Sequence, residues 1–185
     1  GRQKYAGAQP TPEEARAALA SYAAYFGTFT VNDGEGVVTH QVHGNLNPNN
    51  TGTDQKRFFE FSGNRLILKP PRGPTGAQAR LTWERVPDLP RLTPTHRRLI
   101  GFWKQVSSER RKFDGELFRS NPPRAGVLIL TAAGQMAVHL MQPGRKKYAA
   151  AQPAPEEAQE ALSTYASYFG PYAVHETERF EVTRQ

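Results

Sequence analysis

Residues 1–27 read GRQKYAGAQPTPEEARAALASYAAYFG, and residues 144–170 read GRKKYAAAQPAPEEAQEALSTYASYFG. Nineteen of these 27 positions are identical at a fixed offset of 143. After one inserted residue, Val38-Thr39-His40-Gln41 lines up with Val182-Thr183-Arg184-Gln185. Chance does not produce such a match. Two copies this far apart do not make a solenoid, whose repeats run to roughly 20–50 residues; the period is that of a domain. Residues 1–86 are therefore expected to be the C-terminal part of one copy and residues 98–185 the N-terminal part of the next. Residues 87–97 form the linker, and PDLPRLTPT at 87–95 has the proline density of a stiff connector.

Neither part is a whole unit. One complete set of segments exists only if the front of copy two pairs with the back of copy one. That pairing can occur within one chain, as a circular permutation, or by reciprocal exchange in a domain-swapped homo-oligomer. In either case a helix-plus-hairpin segment is present twice. The chain is expected to be a piece of a longer tandem protein or a deliberate rearrangement.

The repeated segment predicts a helix from Pro12 to Phe26. Thr11 can cap it, Pro12 suits its first turn, Glu13 and Glu14 favour the positive end of its dipole, and Gly27 stops it. Leu19, Tyr22 and Phe26 recur at helical spacing, as do Leu162, Tyr165 and Phe169 in the second copy. Most of the remainder predicts strands. Residues 28–31 and 37–43 flank the turn Asn32-Asp33-Gly34-Glu35-Gly36, and residues 57–61 and 66–69 flank Ser62-Gly63-Asn64-Arg65. Residues 77–86, 100–107, 126–131 and 135–141 add further strands, and a short pair surrounds Asp114-Gly115. The expected class is mainly β: an eight- to nine-stranded antiparallel barrel with one helix. Closure at that number leaves room for one small ligand.

Composition narrows the functions. The chain has 185 residues, 37% of them apolar, and a mean hydropathy of −0.66. No run approaches the roughly 18 apolar residues of a membrane span, and Gly1-Arg2-Gln3-Lys4-Tyr5 has no signal-peptide core. A cytoplasmic protein without a membrane partner is expected. The absence of cysteine excludes disulfides, thiolate chemistry and a Cys-based zinc site. The net charge of +7 comes from scattered residues apart from Arg97-Arg98, Arg110-Arg111-Lys112 and Arg145-Lys146-Lys147. None of these lies in a nucleic-acid motif, so a solvated face or anion-steering rim is expected and no nucleic acid.

Leu99-Ile100-Gly101-Phe102-Trp103 places a Gly-x-Trp at the start of a strand, as lipocalins do. Met141-Gln142-Pro143-Gly144-Arg145, Tyr25-Phe26-Gly27-Thr28-Phe29, Gly44-Asn45-Leu46-Asn47-Pro48, Gly52-Thr53-Asp54-Gln55 and Leu81-Thr82-Trp83-Glu84-Arg85-Val86 extend the likeness over nearly all the chain outside the linker. Together these stretches resemble the bacterial and fungal lipocalin-like domain family. The departure is in order, because the family begins at the Gly-x-Trp strand and ends at the Trp-Glu-Arg strand. The resemblance implies a calycin-type barrel with a pocket. It also implies structural roles for Gly101 and Trp103, with Arg80 or Arg85 stacked on the indole in a cation–π contact of about 0.5–2 kcal/mol.

Candidate site residues follow from strand alternation. Val38, His40 and Val42 share one face; if that face is the lumen, His40 lies in an apolar pocket with a lowered pKa and can act as a catalytic base. His139 shares a face with Ala137 and Met141, while Met136, Val138 and Leu140 make the more apolar, inward face. His43 and Asn45 lie near the barrel mouth, Tyr22 and Tyr25 could line or lid the pocket, and Trp83 joins the ligand-binding set. Three histidines on separate segments have no metal-ligand spacing, so no metal is expected. No phosphate cradle, nucleophile elbow or other cofactor motif is present. Two functions stand side by side: binding of a small hydrophobic molecule, aromatic or polyketide-like, and a cofactor-independent cyclase or isomerase in the same cavity, with His40 as base.

Overall fold

A computed structural model describes residues 4–175 and 180–183 of the chain. It divides into two compact units, one made of residues 25–45 and 50–87, the other of residues 1–24, 46–49 and 88–185.

The smaller unit is an antiparallel meander. Its strands are β1 (Tyr25–Asn32), β2 (Val37–Asn45), β3 (Asp54–Ser62), β4 (Arg65–Lys69) and β5 (Leu81–Glu84), ordered in space as in sequence. The Asn32 side chain accepts from the Glu35 amide at 3.2 Å and fixes the first hairpin turn. The β1–β2 register slips between Phe26 and Gly27, so Gly27 faces Val42 and Phe26 faces Gly44, with His43 as the extra residue of a bulge. A Cβ on Gly27 would fall 1.8 Å from the Gln41 carbonyl oxygen, so only glycine fits this crossing.

Alternation sorts this sheet into two faces. One carries Phe29, Val31, Phe61, Leu81 and Trp83, exposed between 41% at Leu81 and 72% at Phe61. The other carries the buried Val37 and Ile67, the partly exposed Phe58, and ion pairs of Glu60 with Lys69 and Arg80 and of Arg65 with Glu84.

The larger unit has a second five-stranded antiparallel sheet. Its strands are β6 (Gly101–Lys104), β9 (Ala125–Leu130), β10 (Gln135–Met141), β11 (Tyr165–His175) and β12 (Phe180–Thr183), in the spatial order β12-β11-β10-β9-β6. A separate hairpin joins β7 (Ser108–Arg111) and β8 (Leu117–Asn121). The core lies on one face of the sheet, where Leu130, Met136, Val138 and Tyr172 are buried with Leu99, Leu128, Leu140 and Val174 packed around them. Leu130 is the largest fully buried side chain.

Helices α1 (Pro12–Ala20) and α3 (Pro155–Ser163) are the two copies of the repeated helix, and they pack on each other. Ala15 and its equivalent Ala158 are both completely buried, and Ala18 and Ala161 nearly so. Thr11 caps α1 in a reciprocal box with Glu14, at 3.2 and 2.8 Å. At α3 the capping residue is Ala154, which leaves only the Glu157 half of that box.

Several expectations are corrected. Three helices are described, not one; the third, α2 (Pro94–Leu99), is capped by Thr93. The repeated helix ends at Ala20 and not at Phe26. Ser21 closes it by donating its amide and hydroxyl to the Ala18 carbonyl, and Tyr25 and Phe26 beyond it enter β1. The sheets are not closed into a barrel: among the described residues β5 pairs only with β4 and β6 only with β9. Copy two supplies β10 with an acceptor, β11, only a helix away in sequence, and a short connection loses less entropy on closure than pairing with the far half of the chain.

Candidate functional site

Alternation from the core face of β6, β9, β10 and β11 makes one cross-strand row: Trp103 opposite Leu128, Leu128 opposite Val138, and Val138 opposite Tyr168. This row floors a cleft of about 320 Å³, with Leu140 and Gln105 beside it and Lys104 and Val127 completing the wall. The size is that of a small-molecule site. The Trp103 indole N–H donates to the Leu99 carbonyl at 2.8 Å, which fixes the ring and leaves it 46% exposed. Gly101 adopts φ +155°, and a Cβ there would meet that indole at 3.6 Å. The Gly-x-Trp pair thus places an aromatic plate at the end of an apolar row.

Behind the same sheet a polar chain is built on α3, β10 and β11. The Tyr22 and Ser167 hydroxyls are 3.2 Å apart. His139 Nδ1 lies 3.1 Å from both the Ser167 and Tyr165 hydroxyls. Arg145 stacks on the Tyr165 ring at 5.3 Å and donates to Thr164 Oγ1 and to the carbonyls of Leu46 and Ala161. Burial holds His139 below the ordinary imidazole range, lowers Arg145, and pushes the Tyr165 phenol well up. These groups stay neutral phenol, neutral imidazole and buried cation near neutral pH.

In the smaller unit the Tyr25 hydroxyl lies 3.0 Å from His40 Nδ1. His40 is half-buried, and its pKa is lowered first by burial and then by the Arg57 charge. Val38, His40 and Val42 do share a face with Phe29 and Trp83, and Val42 is 2% exposed. His43 is exposed at the bulge, with a 3.5 Å contact to Thr28, while Asn45 is buried. Arg80 is engaged with Glu60, and the Arg85 amide donates to the Asn64 carbonyl.

The structure thus joins two pairs of the expected residues, Tyr25 with His40 and Tyr22, through Ser167, with His139. Sequence reasoning placed Trp103 among structural residues and did not assign Leu128, Val138 or Leu140 to a ligand. The apolar alternation of residues 135–141 was the available signal. Ser167 and Arg145 had none, because their partners depend on the docking of α3. Among the described residues no cluster of three metal-ligating side chains occurs, and no helix is long and apolar enough to cross a membrane.

The fold and cleft define a class: a mainly antiparallel β protein with an apolar, aromatic cleft on one of its sheets. Residues 3–86 and again residues 100–184 match the family model of the lipocalin-like domain, and the chain belongs to that family. The double match is that of a tandem repeat of the domain. No curated protein and no solved structure matches the chain.

Proposed function

We propose that the protein binds a small apolar molecule, aromatic or polyketide-like, on the Trp103 cleft. The row Trp103–Leu128–Val138–Tyr168 around about 320 Å³ carries this reading. Family membership supports it, since lipocalin-like domains are associated with small hydrophobic ligands. We take residues 1–86 and 98–185 as parts of two successive copies joined by residues 87–97, with the cleft on the second. Titration with N-phenyl-1-naphthylamine, an uncharged probe that brightens in apolar surroundings, tests the reading. The probe is expected to saturate, and Leu140→Asn to weaken it about tenfold, since a polar amide beside the row loses roughly 1–3 kcal/mol of apolar contact. Equal affinity in the variant, or no saturation in the parent, defeats the proposal.

A second reading, a cofactor-independent cyclase or isomerase, is favoured by one arrangement. His40 is neutral at pH 7, half-buried, and hydrogen-bonded to Tyr25 on an apolar face. A positioned imidazole of this kind can accept a proton from a bound substrate. His40→Ala separates the two: a binder keeps its ligand unchanged, whereas a base-dependent enzyme loses kcat with little change in binding.

A further inference from the structure

We propose that the β7–β8 hairpin docks the protein on an anionic lipid surface. Phe113 and Phe118 enter the boundary between headgroups and acyl chains, and Arg110 and Arg119 hold lipid phosphates. The contact lies on the bilayer and needs no spanning segment, and it does not depend on whether the cleft holds a ligand.

Among the described residues β7 and β8 form a two-stranded sheet that pairs with no other strand. The hairpin grows from the strands of the cleft, since β6 leads into β7 and β8 into β9, and the Arg124 amide donates to Gln105 Oε1 at 2.8 Å across the junction. A lone hairpin is marginal in water, yet this one turns its apolar residues outward. Phe113 is wholly exposed, and Val106, Phe118 and Leu117 are 79%, 66% and 48% exposed. The turn accounts for Phe113. The Gly115 amide donates to the Lys112 carbonyl at 3.0 Å, which sets Phe113 at the convex apex with its ring uncovered. An exposed apolar patch of this kind marks an interaction surface.

Charge decides the partner. Residues 104–124 carry six basic side chains and three acidic ones. The acids are engaged within the hairpin: Glu109 pairs with Arg111 at 2.8 Å, Glu116 with Lys112 at 2.5 Å, and Asp114 accepts from the Glu116 amide at 2.9 Å. Lys104, Arg110, Arg119 and Arg124 are exposed and have no acidic partner among the described residues. Arg110 lies directly opposite Arg119 in the ladder. Like charges so placed repel, and an anion held between them relieves the repulsion. Exposed rings and uncompensated cations on one hairpin complement an apolar interior under a layer of phosphates. A protein interface would instead centre on residues depleted of charge. A single strand of nucleic acid needs bases stacked along a cationic groove, and a ring at the apex of a turn offers no groove.

Sedimentation with lipid vesicles tests the docking. The parent is expected to sediment with phosphatidylglycerol vesicles, to stay in solution with phosphatidylcholine vesicles, and to be released by high salt. In Arg110→Gln/Arg119→Gln partitioning should fall about thirtyfold, since each guanidinium at an anionic surface counts for about fivefold. Phe113→Ser should lower it about tenfold through lost apolar insertion. Both variants alter exposed side chains and are expected to keep the parent's circular dichroism. Lys146→Gln/Lys147→Gln, which removes as much charge from the loop before α3, should stay within about twofold of the parent. A parent that does not sediment, or sediments equally with both vesicles, overturns the proposal. So does a Phe113→Ser chain that partitions like the parent, or a lysine variant that loses as much as the arginine one. A parent that ignores vesicles and raises the anisotropy of a labelled thymidine oligonucleotide assigns the hairpin to nucleic acid and is equally fatal.

Discussion

His139 and His40 sit in different sheets, yet each places Nδ1 beside a tyrosine hydroxyl and each has its pKa lowered chiefly by burial. An unfolded imidazole takes up a proton near about pH 6.5, and these two do so only at lower pH when folded. Between those values the unfolded chain binds more protons, so their contribution to stability is complete above about pH 6.5 and is lost as pH falls through the folded pKa. The melting temperature is expected to drop between about pH 7 and pH 5, and His139→Gln to flatten that slope. An unchanged slope in the variant would contradict the assignment. Tyr148 makes a different test. Its hydroxyl is buried without a hydrogen-bond partner among the described residues, and an unsatisfied group of this kind costs about 1–3 kcal/mol. Tyr148→Phe is expected to leave the denaturation midpoint unchanged or raise it; a marked fall would show that the hydroxyl has a partner. The shared face of Val38, His40 and Val42 was legible, because strand alternation needs only local sequence. The partners of His139 were not, because Ser167 and Tyr165 reach it only after β11 pairs with β10.

Near-identical segments with different endings show what sequence can decide at the scale of elements. The starts of α1 and α3 were legible from proline and paired glutamates, and both helices begin there. Their ends were not. Tyr, Ala and Phe at helical spacing also suit a strand, and the choice falls to whichever partner is present. Tyr165, Ala166 and Ser167 are strand because Met141, Leu140 and His139 lie opposite, whereas Tyr22, Ala23 and Ala24 stay outside any strand. The caps give a paired prediction. Thr11→Ala should lower stability by about 1 kcal/mol, and Ala154→Thr should raise it by a similar amount by completing the box that copy two lacks. Thermal melts of both variants check it; a stabilised Thr11→Ala or a destabilised Ala154→Thr would be inconsistent with the capping geometry. At the α1–α3 contact, Ala158→Leu inserts three carbons where no space is left and should cost about 1–3 kcal/mol. A variant as stable as the parent would mean that the two helices are not in contact.

For the molecule as a whole, the repeat, the family and the predominance of antiparallel strands were all legible before any coordinates. Closure was not. Hydrophobic alternation says which face is apolar but not which strand lies beside which, and a chain with two near-identical acceptors for β10 offers two answers. The connection through α3 is the shorter, and the structure takes it. That choice leaves aromatic faces on both sheets, and on the larger unit the Trp103 cleft. The most direct test of the account uses the two tryptophans, Trp83 and Trp103. In a Trp83→Phe chain all indole emission comes from Trp103, and titration with N-phenyl-1-naphthylamine should quench it saturably, with one probe bound per cleft. Emission that stays constant while the probe saturates, or a probe that never binds, would contradict the claim that Trp103 floors a ligand site.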